Sequence, residues 1–122
     1  MTVDMQITQA LSPLGIEIFN SLNPGQGDSE TVTERYFVFN YTTLGDDFAD
    51  DAPQHERYLV QVHFFAPETE KVNLTAKAVK QALFRAGFTW PETYNASDGN
   101  GKHIVFECET SEGADADGDA LD

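Results

Sequence analysis

Residues Glu34–Ala66 read "ERYFVFNYTTLGDDFADDAPQHERYLVQVHFFA", and the fold turns on them. Two runs dense in aromatic and β-branched residues flank an acidic stretch. In the first run, residues 34–42, Phe37, Phe39 and Tyr41 share one face of an extended chain, and Tyr36, Val38 and Asn40 share the other. Both faces are largely apolar, so this strand is expected in the interior of a sheet. In the second run, residues 56–66, Tyr58, Val60, Val62 and Phe64 make an apolar face, and Leu59, Gln61, His63 and Phe65 make a mixed one. Consecutive strands of this strength pair as an antiparallel hairpin. That makes residues 45–56 the connection, expected as an elongated acidic loop.

The connection gathers Asp46, Asp47, Asp50 and Asp51 around Phe48. Calcium takes about six to eight oxygens from a loop of defined spacing. These acids come as adjacent pairs and miss the D-x-[DN]-x-[DN]-G pattern. The expectation is a solvated acidic hairpin loop, whose acids and single phenylalanine are candidates for a protein interface or for the lining of a lumen.

Upstream, residues 2–11 place Val3, Ile7, Ala10 and Leu11 on one helical face, with Thr2 as N-cap and Pro13 and Gly15 as stops. Residues 16–19 alternate as a strand, and 23–31, "NPGQGDSET", read as a loop. Downstream, residues 69–86 carry the stripe Val72, Ala76, Val79, Leu83 and Ala86, which is the spacing of a helix packed on a sheet. Glu68 and Glu70 are expected near its start, where the helix dipole favours acids. Gly87 stands where a C′ glycine belongs. "FTWPETYNA" (88–96) is a strand interrupted by Pro91 and so belongs at an edge or a bulge. "SDGNGK" (97–102) is a tight turn, and residues 103–110 form the last strand, with Ile104, Phe106 and Cys108 opposite His103, Val105, Glu107 and Glu109. The order α-β-β-β-α-β-β predicts an α+β domain over residues 1–110: a mostly antiparallel sheet of four to five strands with two helices mainly on one face. Residues 111–122, "SEGADADGDALD", are expected as an acidic disordered tail.

The chain has 122 residues and a formal net charge of −14. Such charge opposes any grip on phosphate, and equally on an anionic membrane surface. Cys108 is the only cysteine, so an internal disulfide is excluded; with no signal peptide legible at the N-terminus, synthesis in a reducing cytoplasm is the expectation. No apolar run reaches the roughly 18 residues of a membrane span.

Catalytic and metal chemistry find little support in the residue pattern. His55, His63 and His103 could supply a zinc ligand set only with further donors. His63 and His103 are candidates for neighbours on one sheet face, but Cys108 alternates to the other. Cys108 lies in an apolar strand, where a thiol is inert. The chain has no nucleophile elbow, phosphate-binding loop or dinucleotide fingerprint. No catalytic residue, metal or cofactor is expected, and the chain reads as a non-enzyme. Aromatic surface remains: nine Phe, four Tyr and one Trp exceed what one covered sheet face holds. Tyr36, Tyr58, Phe65, Trp90 and Tyr94 are the candidates for an exposed aromatic interface, the alternative being that the helix at residues 2–11 covers the second face.

The run from Arg35 to Pro67, the helix end "VKQALFRAGFTWPE" and the closing "ASDGNGKHIVFECE" resemble small tail proteins of long-tailed (siphovirus) phages and prophages, of the tail terminator or tail-completion type. The resemblance covers roughly residues 3–110. It implies a structural virion protein, made in the bacterial cytoplasm, that assembles with itself as a ring, as a hexamer in this family. The ring sits at the head-proximal end of the tail tube, stops tube polymerisation and joins the tail to the head connector. The implied partners are other copies of the chain, the major tail tube protein and the head–tail connector proteins, with DNA passing through ungripped. The alternatives are a head-completion or stopper protein of the neck and a monomeric acidic binding module.

Overall fold

The computed structural model describes residues 2–20, 31–49 and 52–111, with the backbone alone over 44–49 and 52–56. The elements run α1 (Val3–Leu11), a 3-10 turn (Ser12–Leu14), β1 (Glu17–Asn20), β2 (Tyr36–Ala49), β3 (Ala52–Ala66), α2 (Asn73–Arg85), β4 (Glu92–Asn95) and β5 (Lys102–Ser111). They build the expected α+β domain. The five strands form one sheet in the order β1-β2-β3-β5-β4, antiparallel except for the β1–β2 pair. The expected 23–31 loop lies outside the described residues except at Thr31, and the expected acidic tail lies outside them beyond Ser111.

Register sorts the side chains into two faces. The pairs Phe37↔Phe64, Phe39↔Val62, Val62↔Phe106 and Val60↔Cys108 put the apolar positions of three strands side by side. Against them pack Val3, Ile7 and Leu11 of α1 and Val72, Val79 and Leu83 of α2, in one continuous core. Both helices therefore share one sheet face. Phe37, Phe39, Phe64, Phe106, Ile7, Leu11 and Leu83 are among the largest fully buried side chains. Each contributes on the order of 1.5–3 kcal/mol by leaving water.

Local chemistry sets the ends of the helices. The Thr2 side chain accepts from Met5 N–H at 3.2 Å and caps α1. Gly15, at φ 72°, ends the 3-10 turn in the left-handed region. At the other helix, Phe88 N–H donates to Leu83 O at 3.1 Å and Gly87 N–H to Phe84 O at 3.2 Å. This is the Schellman pairing, closed by the buried Leu83 and Phe88. The helix is shorter than its periodicity suggests. Residues 67–70 form a turn closed by Glu70 N–H to Pro67 O at 2.9 Å, so the helix begins at Asn73. Glu68 and Glu70 thus fall outside its first turn, and Glu70 pairs with Arg35 at 3.5 Å.

β4 is an edge strand and shorter than the 88–96 run, since it begins only after Pro91, and a bulge precedes it. Thr89 N–H donates to Glu109 O at 2.9 Å, while Glu92 pairs with Glu107, so Trp90 and Pro91 together oppose Cys108 alone. The turn after β4 needs glycine at 101: a Cβ there would sit 2.8 Å from Ala66 O and 2.9 Å from the Val32 side chain.

The largest departure from the sequence expectation is the β2–β3 connection. Residues 45–49 and 52–56 are not loop. The ladder continues through Gly45↔Glu56, Asp46↔His55 and Phe48↔Pro53 to Ala49↔Ala52. Alternating pairing outlasts the hydrophobic pattern because backbone hydrogen bonds need no particular side chain. Among the described residues, β5 pairs with β3 as far as Arg57↔Ser111, and β1 pairs with β2 as far as Asn20↔Phe39. Beyond Arg57 the hairpin is a two-stranded arm, with no third strand beside it among the described residues. Four residue steps from Gly45 to Ala49 make it roughly 13 Å long.

Candidate functional site

The sheet face opposite the helices carries the polar chemistry. Its rows follow from the register: Glu17, Tyr36, Phe65 and His103; then Phe19, Val38, His63, Val105 and Tyr94; then Asn40, Gln61, Glu107 and Glu92. Phe65 stacks between Tyr36 at 4.8 Å and His103 at 4.2 Å, centroid to centroid. Phe19 meets the Tyr36 edge at 5.9 Å.

A hydrogen-bonded chain crosses three strands of this face. Tyr94 O–H donates to Glu107 Oε1 at 3.0 Å, and Gln61 Nε2 donates to Glu107 Oε2 at 2.6 Å. Gln61 Oε1 faces His63 Nε2 at 3.3 Å, and His63 Nδ1 lies 2.8 Å from His103 Nε2. The carboxylate of Glu107 only accepts, which orients the amide. Gln61 then accepts from His63 Nε2–H, leaving His63 Nδ1 to accept from His103 Nε2–H. The network thereby assigns one neutral tautomer to each ring. Burial lowers the pKa of His63, against the pull of Glu107. Burial and then the neighbouring His63 lower that of His103, against Asp98. The hydrogen bond to Glu107 raises the Tyr94 hydroxyl. Neutral, mutually bonded imidazoles hold the strands in register here. Cys108 stands on the helix face, its thiol pushed up to about 12 by burial and by Glu109. Among the described residues no group of three or more His, Cys, Asp or Glu converges as a metal ligand set.

The five aromatic candidates separate. Tyr58 is a correction: at 7% exposure it belongs to the core beneath the helices, because its alternation with Val60 and Val62 carries it to that face. Phe65 is a second correction: it lies on the opposite face yet is only 8% exposed, enclosed between the Tyr36 and His103 rings. Tyr36 is half-buried in the same stack. Trp90 and Tyr94 are exposed. Trp90 is turned out by the bulge and meets the Phe84 edge of α2 at 5.5 Å. No single patch unites the five. Of the acidic candidates, Asp46, Asp47 and Phe48 lie on the β2 strand of the arm, whereas Asp50 and Asp51 lie outside the described residues.

The exposed apolar surface that sequence reasoning missed is on α2. Leu74 is 84% exposed and Phe84 55%, on the side of the helix away from the buried stripe. From Lys71 to Arg85 the chain holds Lys71, Lys77, Lys80 and Arg85 and no acid, in a chain with 21 Asp plus Glu. That local absence of acids was a readable signal. Ion pairs among the described residues join Arg35 to Glu70 and Arg57 to Glu109, and none involves Lys77, Lys80 or Arg85. Between α2 and β4 runs a groove of about 410 Å³. Val72, Ala76 and Ile104 line it with apolar surface, and Lys77, Lys80 and Trp90 stand along it. No helix among the described residues is long and apolar enough to cross a membrane.

Comparison with protein-family models finds no match, and comparison with curated proteins finds none either.

Proposed function

We propose that the chain is a structural phage protein that forms a ring at the head-proximal end of a tail tube. There it ends tube polymerisation and joins the tail to the head connector. The supporting observation is the arm: β2 and β3 stay paired to Ala49↔Ala52, past Arg57↔Ser111, the last pair that a neighbouring strand makes among the described residues. A two-stranded ribbon alone is marginal in water, so an arm of this kind is a device for reaching another molecule. Closed rings need two unlike, complementary patches on each subunit. The chain offers an acidic arm on one side and a cationic, apolar helix face on another. The net charge of −14 suits a channel that repels the duplex passing through it.

The test is electron microscopy of tubes polymerised from the major tail tube protein with and without the purified chain. The expected result is tubes capped at one end by a ring and no longer growing. Uncapped tubes with an unchanged length distribution would refute the proposal.

A further inference from the structure

We propose that the groove between α2 and β4 is the docking site for the β2–β3 arm of a second copy of this chain. The inference rests on the ring-forming reading above and names the contact that builds the ring.

Charge complementarity carries it first. The segment from Leu44 to Glu56 contains Asp46, Asp47, Asp50, Asp51 and Glu56 and neither Lys nor Arg. The segment from Lys71 to Arg85 contains four cations and no acid. In so acidic a chain these cations are the main positive surface available to an acidic partner, and no ion pair among the described residues uses Lys77 or Lys80. Apolar surface matches as well. The groove has Val72, Ala76 and Ile104 beneath and Trp90 beside it, and the arm has Phe48 among its acids. The other acidic segment, residues 112–122, has only Leu121 and alanines to offer an apolar floor.

Geometry excludes the arm of the same chain. The groove lies by Ile104, and the arm leaves the sheet beyond Arg57, which pairs with Ser111 at the far end of β5. Seven residues of extended strand separate Ile104 from Ser111, about 23 Å at the usual rise. The arm continues outward from there, away from its own groove. Only another molecule can bring an arm to this groove. Groove and arm are different surfaces at opposite ends of the sheet, so the contact is heterologous and propagates head to tail, closing where the rotation between copies allows.

The test is a disulfide placed between copies. Full-length Ala49→Cys and full-length Asn73→Cys chains are mixed and oxidised with and without tail tubes. Native Cys108 stays silent because it is buried, with a thiol pKa of about 12. The expected result is a 49–73 crosslink between chains. Lys77→Glu with Lys80→Glu should lower its yield about tenfold, the effect of juxtaposing like charges. Adding Asp46→Lys with Asp47→Lys to the Ala49→Cys chain should restore the yield. Failure of the reversal to lower the yield, or of the swap to restore it, overturns the inference. A ring that forms without the 49–73 link overturns it while leaving the ring reading standing. A link from Ala116→Cys to Asn73→Cys in its place makes the C-terminal segment the occupant and overturns it too. Neither link nor oligomer, alone or on tubes, overturns both the inference and the proposed function.

Discussion

Replacing residues 46–55 with Asn-Gly removes the arm and leaves Gly45 and Glu56 to flank a two-residue turn. Gly45↔Glu56 lies four residues along the strand from Ala49↔Ala52, so the new turn enters the ladder in the same phase of the alternating pairs as the native one. The deletion loses the pairs Asp46↔His55, Phe48↔Pro53 and Ala49↔Ala52. Cross-strand pairs contribute roughly 0.2–1 kcal/mol each, so about 1–3 kcal/mol of favourable contact disappears. The conformational entropy of the arm's backbone is released at the same time and opposes this loss, so the monomer should change by no more than about 1 kcal/mol, some 4 °C in Tm for a chain of this size. Thermal melts by circular dichroism at matched concentration measure it, with sedimentation velocity reading association in the same samples. The expected pair of results is an unchanged monomer Tm and lost association. A fall in monomer Tm of 10 °C or more would mean that the arm packs on its own domain, and would refute the reasoning.

The histidine pair sets a pH dependence. Both folded pKa values lie below the ordinary 6.5, so the unfolded chain binds more protons as the pH falls through that region. The stability this network contributes is complete above pH 6.5 and is lost below it, toward the folded values. Urea midpoints at pH 8, 6.5 and 5 should therefore fall in the native chain relative to His63→Gln with His103→Gln; parallel curves would contradict it. Phe106→Ala should cost about 3–5 kcal/mol, since Phe106 is fully buried among residues of both helices and the sheet. A loss under 1 kcal/mol in urea titration would contradict the packing described. The thiol of Cys108 should react with iodoacetamide at pH 8 at least a hundredfold more slowly in the folded chain than in urea, because burial keeps it protonated at that pH. Equal rates would place it outside the core.

What could be read in advance followed from periodicity. Val3, Ile7 and Leu11 mark α1, and Phe39, Val62 and Phe106 mark adjacent strands, because a buried face must repeat its apolar residues at the period of its element. Tyr58 shows the limit of composition: counting aromatics suggested surplus surface, whereas its place in the alternation with Val60 sends it inward. The arm was illegible because its pairing rests on backbone hydrogen bonds, and "GDDFADDAPQHE" reads as loop by side chain alone. The His63–His103 contact was anticipated as proximity, but the chain through Gln61 and Glu107 to Tyr94 depends on a register known only once β3, β5 and β4 are paired. The exposed Leu74 and Phe84 are not legible in advance because the outward positions of a helix are under no packing period, so a single apolar residue there leaves no pattern.

Native mass spectrometry of the full-length chain, alone and after release from tail tubes, tests the central claim most directly. The account predicts a closed oligomer of one discrete copy number that falls apart when Lys77 and Lys80 are reversed in charge. A chain that stays monomeric in both preparations, at every concentration and ionic strength, would contradict it.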